Sequence, residues 1–393
     1  MCKIKNRDLL RLINDELCDT SVNGTSVNGT SVFAHKTVVI YGTRRVGKTT
    51  LVQQLLAQNS NKTVKYFSCE DVETRMSIET TNTEALKSIF QGYDIVVIDE
   101  AQAADKIGLT LKIIHDFIPE VQLIVTGSSS FDLSNKIGEP LVGRAFYYKL
   151  YPFSLRELNY DYIKMRSIID HILRFGLYPT VVEKTEEKAK KELLDLTNGY
   201  LYKDILAIEG IRHSKVLLNL LIALALQIGN EVSYNELANK LGISANTVIK
   251  YVDLLEKCFI IFELTAFSRN LRNEVGRKSK KIYFYDLGVR NAIINAFAPL
   301  EMRADVGALW ENFCIVELIK KANNNQQFSN NYFWRTYEQQ EVDFIEEYDG
   351  VLHAYEFKYS PKAKVKPPKL FLETYQSEFT VIHKDNWYEK LVK

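Results

Sequence analysis

Residues 37–50 read Thr-Val-Val-Ile-Tyr-Gly-Thr-Arg-Arg-Val-Gly-Lys-Thr-Thr, and residues 95–100 read Ile-Val-Val-Ile-Asp-Glu. Val38 to Tyr41 is an apolar, β-branched run, so it predicts a buried strand. It leads directly into Gly42-Thr-Arg-Arg-Val-Gly-Lys-Thr, which matches G-x-x-x-x-G-K-[ST] in full. A helix is expected from about Thr50, which is the context that a phosphate-binding loop needs. Glycines at 42 and 47 let backbone N–H groups and the helix N-terminus wrap phosphate oxygens. The candidate nucleotide-binding residues are therefore Gly42, Thr43, Arg44, Arg45, Val46, Gly47, Lys48, Thr49 and Thr50. Lys48 would neutralise the β- and γ-phosphates and the Thr49 hydroxyl would ligate Mg²⁺. ATP with Mg²⁺ is the expected cofactor pair.

The second stretch is an apolar strand ending in two carboxylates. Asp99 would hold the metal and its water shell, and Glu100 would orient and activate the attacking water. Working outward, Val64–Phe67, Leu123–Val125 and Ala145–Leu150 are further strand-like runs alternating with helical patterns, which together predict a parallel α/β sheet. Gln122–Val125 leads into Thr126-Gly-Ser-Ser-Ser, where either Thr126 or Ser128 could sense the γ-phosphate. Arg144, after Gly143, is a candidate arginine finger acting in cis or from a neighbouring subunit, with a surface role equally open.

The 393 residues carry 50 Lys+Arg against 49 Asp+Glu, so no global basic field marks a nucleic-acid partner and any such surface must be local. Five cysteines, scattered and without a C-x-x-C pair, argue against a disulfide framework or a zinc site. Val216 to Ile228 is the longest apolar stretch, and Asn219 interrupts it. It is too short to cross a bilayer of about 30 Å, so no membrane partner is expected. The charged N-terminal stretch, with Lys3, Lys5 and Arg7, is not a secretion signal, and the cytoplasm is the expected location.

Asp8 to Glu16 reads as a short amphipathic helix. After it, Ser-Val-Asn-Gly-Thr occurs twice in Ser21 to Thr30, where Asn-Gly signals a turn or small hairpin. Pro152 and the polar, helical stretch Leu155 to Gly210 predict a helical subdomain packed on the sheet edge. From Val232 to Val252, Ser233 and Glu236 form a capping-box pattern, Gly242 suits a tight turn, and Val248, Tyr251, Val252 and Leu255 share one helix face. This is a helix-turn-helix. Its outward positions Asn246, Lys250 and Asp253 make a weak DNA reader. Arg269, Arg272, Arg277, Lys278, Lys280 and Lys281, opposed by Glu274, form a more basic stretch that suits a wing. DNA contact and a packing or subunit-contact role are both open.

The last third returns to strands around a helix from Leu309 to Lys320. Asp349-Gly350 is a favoured two-residue hairpin tip, so Tyr348 pairs with Val351 and the register follows by stepping outward. Asp343 then faces Glu356, Glu341 faces Lys358, and residues two apart share a sheet face. Asp343, Glu356 and Lys358 therefore converge as a D…E-x-K constellation, in which two carboxylates bind a divalent cation and the lysine helps activate water. Glu311 or Glu317 would complete it; six apart on a helix, only one can serve. The alternative is a solvated ladder of cross-strand ion pairs.

Gly42–Thr50, Ile98-Asp-Glu-Ala-Gln102, Thr126-Gly-Ser128, Val142-Gly-Arg144, Pro152-Phe-Ser-Leu-Arg-Glu157, Tyr283–Gly288, Glu311-Asn-Phe313, Trp334-Arg335, Glu341-Val-Asp343 and Glu356-Phe-Lys358 together resemble the AAA-superfamily ATPases of bacteria and archaea that carry a C-terminal domain of unknown function. That family often has proline and glutamine where this chain has Thr43 and Arg45. The resemblance implies ATP binding, a fused winged helix and a C-terminal fold similar to restriction endonucleases. The expected organisation is an N-terminal helix and loop (1–35), a P-loop core (36–151), a helical lid (152–211), a winged helix-turn-helix (212–275) and a restriction-endonuclease-like α/β domain (276–393). The expected function is ATP hydrolysis coupled to nucleic-acid binding or processing by the C-terminal nuclease-like domain, with DNA as a candidate partner, in a chain that could form a homo-oligomer. The rival is an ATP-gated interaction switch that cuts nothing.

Overall fold

A computed structural model describes residues 5–18, 25–27, 30–32, 35–128, 137, 140–201, 214–269, 279–338 and 340–393. The chain divides into two units, Met1–Tyr151 with Lys257–Phe259, and Pro152–Glu256 with Ile260–Lys393.

In the first unit, β1 (Thr25–Val27) and β2 (Thr30–Val32) pair antiparallel. Residues 19–24 and 28–29, which hold both Asn-Gly pairs of the repeat, lie outside the described residues. The strands β3 (Thr37–Tyr41), β4 (Val64–Ser68), β5 (Ile95–Asp99), β6 (Gln122–Gly127) and β7 (Ala145–Lys149) form one sheet in the order β4-β5-β6-β3-β7, parallel throughout. Strands buried on both faces have no polar side to present, which is why β5 and β6 read as unbroken apolar runs. Their residues alternate between two cores. Val96, Ile98, Leu123 and Val125 pack with the helices Thr83–Phe90 and Ile107–Phe117. Ile95, Val97 and Ile124 pack on the other face with the helices Asp8–Cys18 and Lys48–Gln58. Each fully buried Val, Ile or Leu contributes about 1.5–3 kcal/mol.

The second unit is built on a six-stranded mixed sheet in the order β13-β12-β11-β10-β8-β9. The strands are β8 (Ile261–Ala266), β9 (Lys280–Phe284), β10 (Asn330–Arg335), β11 (Glu341–Tyr348), β12 (Val351–Lys358) and β13 (Glu378–His383). The pairs β8/β10 and β12/β13 are parallel and the remaining neighbours antiparallel. The β11–β12 hairpin has the expected register, from Tyr348 opposite Val351 to Phe344 opposite Tyr355. Asp349 and Gly350 both take positive φ (50° and 78°), as a type I′ tip requires.

The helices Tyr162–Phe175 and Glu186–Asp195, which fall in the stretch expected as a helical lid, belong to the second unit, where they pack with the helix Leu287–Ile293. Their apolar faces are supplied with a partner by Val289, Ala292 and Phe297, about a hundred positions downstream and invisible to local periodicity. The strands β8 and β9 pair with each other inside the six-stranded sheet, so the boundary expected between residues 275 and 276 falls between sheet neighbours. The helices Tyr234–Leu241 and Ala245–Lys257 do form, joined at Gly242 in the left-handed region (φ 68°), and the Ser233 side chain accepts from Glu236 N. Val248, Tyr251, Val252 and Leu255 are buried, while Asn246, Lys250 and Asp253 are exposed. Among the described residues no helix is long and apolar enough to cross a membrane.

Candidate functional site

The phosphate-loop residues, the two carboxylates and Thr126 all lie at the carboxyl ends of strands β3, β5 and β6, which are neighbours in the sheet. That edge is where open parallel sheets bind ligands. Gly42 is there because nothing larger fits: a Cβ would sit 2.2 Å from the Leu150 carbonyl oxygen. The loop turns through Arg45 (φ 61°) and Gly47 (φ 100°) and opens the helix Lys48–Gln58.

Lys48 is 4 % exposed, and its ammonium donates to the carbonyls of Gly42 (3.1 Å) and Thr43 (3.2 Å) with Glu100 Oε1 3.7 Å away. Burial pulls its proton affinity down, while Glu100 and then Asp99 pull the other way. Asp99 is saturated by hydroxyls: Thr49 Oγ1 donates to it at 3.2 Å, and the Tyr66 and Thr126 hydroxyls donate through short bonds. The Thr49 and Asp99 oxygens expected to share Mg²⁺ are thus already side by side. Glu100 follows the strand in the left-handed region (φ 53°), and its N–H donates to Thr126 Oγ1 at 3.1 Å. Its carboxylate accepts from Gln102 Nε2 at 2.5 Å, and the same amide reaches Ser128 Oγ at 2.9 Å. So Thr126 is fully buried and braces the carboxylate pair, whereas Ser128 is linked to Glu100 through Gln102.

Tyr66 and Gln102 received no role from the sequence. Tyr66 lies opposite Val97 in the β4–β5 ladder, so it shares a face with Asp99 two residues on; that signal existed once β4 was known to flank β5. Burial and then Asp99 push its phenol well above the usual range.

Arg144 is not brought to this site. Its guanidinium makes a two-point pair with Asp116, at 2.8 and 3.3 Å, and its carbonyl accepts from Thr37 N at 2.8 Å. Thr37 begins β3 and the phosphate loop follows its end, so the two are separated by a strand of about 13 Å. A cis finger does not fit this placement.

In the second unit the hairpin brings the predicted trio together. Lys358 Nζ lies 2.5 Å from Glu356 and 3.8 Å from Asp343, and Phe357 N donates to Asp343 Oδ2 at 2.8 Å. The helix acid in the cluster is Glu311, which accepts from Tyr283 OH at 2.5 Å and lies 3.3 Å from Lys281 Nζ. Glu317 instead forms a buried pair with Lys320 at 2.9 Å and accepts from Leu155 N at 2.7 Å. Lys281 is the surprise, because a member of the expected basic wing is buried and paired with Glu341 at 2.7 Å. Lys280 pairs with Glu263 and Arg269 with Glu347, so the described part of that stretch is already neutralised. Arg272, Glu274, Arg277 and Lys278 lie outside the described residues.

Burial, then the Glu311 charge, pushes Asp343 up to about 7 against the pull of Lys281 and Lys358. Glu356 is raised by burial and then by Asp343. Among the described residues no three His, Cys, Asp or Glu side chains converge closely enough to hold a metal by themselves. A Mg²⁺ on Asp343 and Glu356 would keep several waters, as that ion commonly does.

Residues 34–159 match the family described as an AAA domain, residues 166–300 a domain of unknown function (DUF8612), and residues 306–388 another (DUF4143). An uncharacterized protein of Methanocaldococcus jannaschii is 27 % identical over 336 residues, spanning 79 % of this chain and 72 % of its own length. An uncharacterized protein of Mycobacterium tuberculosis is 26 % identical over 328 residues, spanning 82 % and 70 %. The Aeropyrum pernix ORC1 protein, solved in complex with DNA, is 13 % identical, covering 74 % of this chain and 93 % of that one at a TM-score of 0.34. The match of residues 34–159 to the AAA-domain family and the sheet-edge geometry agree on a P-loop nucleotide-binding arrangement in the first unit.

Proposed function

We propose that the chain hydrolyses ATP with Mg²⁺, that turnover drives the second unit, and that DNA is what the second unit handles. The observation that carries the ATPase reading is the meeting of Lys48, Thr49, Asp99 and Glu100 at one sheet edge. Mg²⁺ at this site would supply charge neutralisation for the phosphates. Thr49 and Asp99 would hold it, and the loop N–H groups with Lys48 would hold the phosphates. Glu100 would then orient the attacking water, provided that it leaves Lys48 and Gln102. In the second unit Asp343 and Glu356 would hold a divalent cation on a phosphodiester, with Lys358 steadying its charge. A second reading, the interaction switch that cuts nothing, is favoured by Lys281, which places a fixed cation beside Glu311, Glu341 and Asp343.

The test follows phosphate release and strand scission by the full chain with linear, nicked and branched DNA, with and without Mg²⁺. Absence of ATP turnover by folded protein overturns the reading. DNA-stimulated turnover with scission supports the nuclease form. Turnover indifferent to DNA, with no scission, selects the switch.

A further inference from the structure

The second unit contains a cavity of about 340 Å³ that belongs neither to the carboxylate cluster nor to the nucleotide-binding unit. Cavities of roughly 300–1,000 Å³ are the size that small organic ligands occupy. One wall is a stripe of the helix Tyr162–Phe175: Lys164, Ile168, His171 and Ile172 recur at the spacing of a single helix face. From Lys164 to Ile172 that wall runs about 12 Å at 1.5 Å per residue. Exposure grades along it, since Lys164 is exposed, Ile168 half-buried and Ile172 buried, with Leu177 buried beyond. The mouth is therefore the lysine end, where Lys184 is also exposed.

Two features say what chemistry would enter. The first is His171, whose Nε2 is buried and has no hydrogen-bond partner among the described residues. It lines the cavity with its ring 4.7 Å from Phe175, and burial lowers its proton affinity against the pull of Glu186. A buried ring nitrogen without a partner is disfavoured unless something in the cavity completes it. The second is the charge at the mouth. Asp161 already caps the helix, accepting from Lys164 N at 2.8 Å, and its negative charge there disfavours a doubly charged phosphate. Glu183 is turned onto the Tyr160 hydroxyl. Lys164, whose ammonium lies over the Tyr160 ring, and Lys184 outnumber the Glu183 carboxylate among the lining residues by one charge, which suits a singly charged carboxylate.

We propose that this cavity binds a small organic carboxylate, its anionic head at Lys164 and Lys184, whose apolar body carries one hydrogen-bonding group that reaches His171. The inference is independent of ATP hydrolysis and of any activity at the carboxylate cluster.

The experiment is calorimetric titration of the full chain with 3-(4-hydroxyphenyl)propanoate, with 3-phenylpropanoate, which lacks the hydroxyl, and with 3-(4-hydroxyphenyl)propan-1-ol, which lacks the carboxylate. The hydroxy acid should bind best, and loss of the carboxylate should weaken binding by about tenfold or more, the usual worth of a hydrogen bond to a charged group. Lys164→Ala, a surface change, should reproduce that loss with an unchanged melting temperature. His171→Phe should erase the preference for the hydroxylated acid while leaving the acid itself bound. Ser167→Trp, on an exposed lining position, should block the mouth. Failure of all three compounds to bind the folded parent chain would overturn the proposal. So would binding that Lys164→Ala, His171→Phe and Ser167→Trp leave unchanged.

Discussion

Two constellations in this chain use the same residue types, a lysine and two carboxylates, and are prepared for opposite partners. At the nucleotide site the lysine is held mainly by carbonyl oxygens, with Glu100 3.7 Å away, and Asp99 is held by three hydroxyls. With Arg44 and Arg45 in the loop, cationic residues outnumber the two carboxylates there, which suits an anion. In the second unit Lys281 and Lys358 face Glu311, Glu341, Asp343 and Glu356, with Tyr283 donating into the group. There the carboxylates are in excess, and Asp343, raised first by burial and then by Glu311, takes up a proton more readily than an ordinary carboxylate. What distinguishes the sites is how the lysine is solvated by the fold, and residue type alone does not reveal that.

The largest effect should come from the nucleotide site. Lys48→Ala should remove most ATP binding, measured by equilibrium titration. Glu100→Gln should keep binding and slow turnover by at least ~100-fold, because its contribution belongs to the transition state. Equal loss of binding in both variants would make Glu100 structural and erase the contrast with the second cluster.

The second effect sharpens the other half of the comparison. Lys281→Met leaves Glu311 and the partly exposed Glu341 without their buried cation, and the loss should be about 2–3 kcal/mol, below the cost of breaking a fully buried pair. Lys358 is 35 % exposed, so Lys358→Ala should cost about 1 kcal/mol or less. The readout is clean because Trp310, Trp334 and Trp387 all lie in the second unit, so tryptophan fluorescence in a urea titration reports that unit alone. ATP binding should be unchanged in both variants. If Lys281→Met is as mild as Lys358→Ala, the cluster is solvated and the difference between the two sites disappears.

A third test uses pH. Asp343 has its native proton affinity raised above the unfolded carboxylate value, so between about pH 4 and 7 the native state binds more protons than the unfolded one. Its contribution is complete at the acid end of that window and is lost as pH rises toward about 7. Glu356, Glu346, Glu256 and Asp286 in the same unit are also raised, burial being the first cause in each, and act in the same direction. Fluorescence-detected stability should therefore fall across this window, by on the order of 1–2 kcal/mol for Asp343 once its coupling to the lysines is discounted. Mn²⁺ added at pH 7.5 should restore it. Asp343→Asn should flatten the profile and abolish the metal effect, whereas Lys358→Ala should keep the metal effect.

The phosphate loop and β5 are legible in the sequence because their chemistry is local, a loop and a strand end within a few residues. The β11–β12 register is equally local, since a two-residue tip dictates which residues face one another. What could not be read depends on which strands are neighbours. Tyr66 reaches Asp99 only because β4 lies beside β5, and Lys281 is buried only because β9 joins the six-stranded sheet. A lysine in a basic stretch looks like a solvated wing until its strand acquires a partner. The Tyr283–Gly288 motif likewise separates into two roles. Tyr283 donates into the carboxylate cluster, whereas Asp286 caps the next helix and Gly288 admits the Phe175 carbonyl, which a Cβ would meet at 2.0 Å.

The smallest effect is expected at Arg144, where sequence pattern and position disagree most. The pattern after Gly143 suggests an arginine that completes a nucleotide site, but within its own unit it stands at the amino end of β3, paired with Asp116 and about a third exposed. A pair so placed is worth at most about 1 kcal/mol. Arg144→Ala should therefore lower stability only slightly and leave turnover within about twofold, at every protein concentration. A finger donated to a neighbouring molecule predicts something different: turnover per chain that rises with protein concentration in the parent, and a loss of ~10³-fold in the variant without weaker nucleotide binding. Measuring phosphate release across a hundredfold dilution of both proteins separates the two. A concentration-dependent parent with a dead variant would mean that the nucleotide site is completed from outside the chain, and that its open, anion-seeking character is only half of its design.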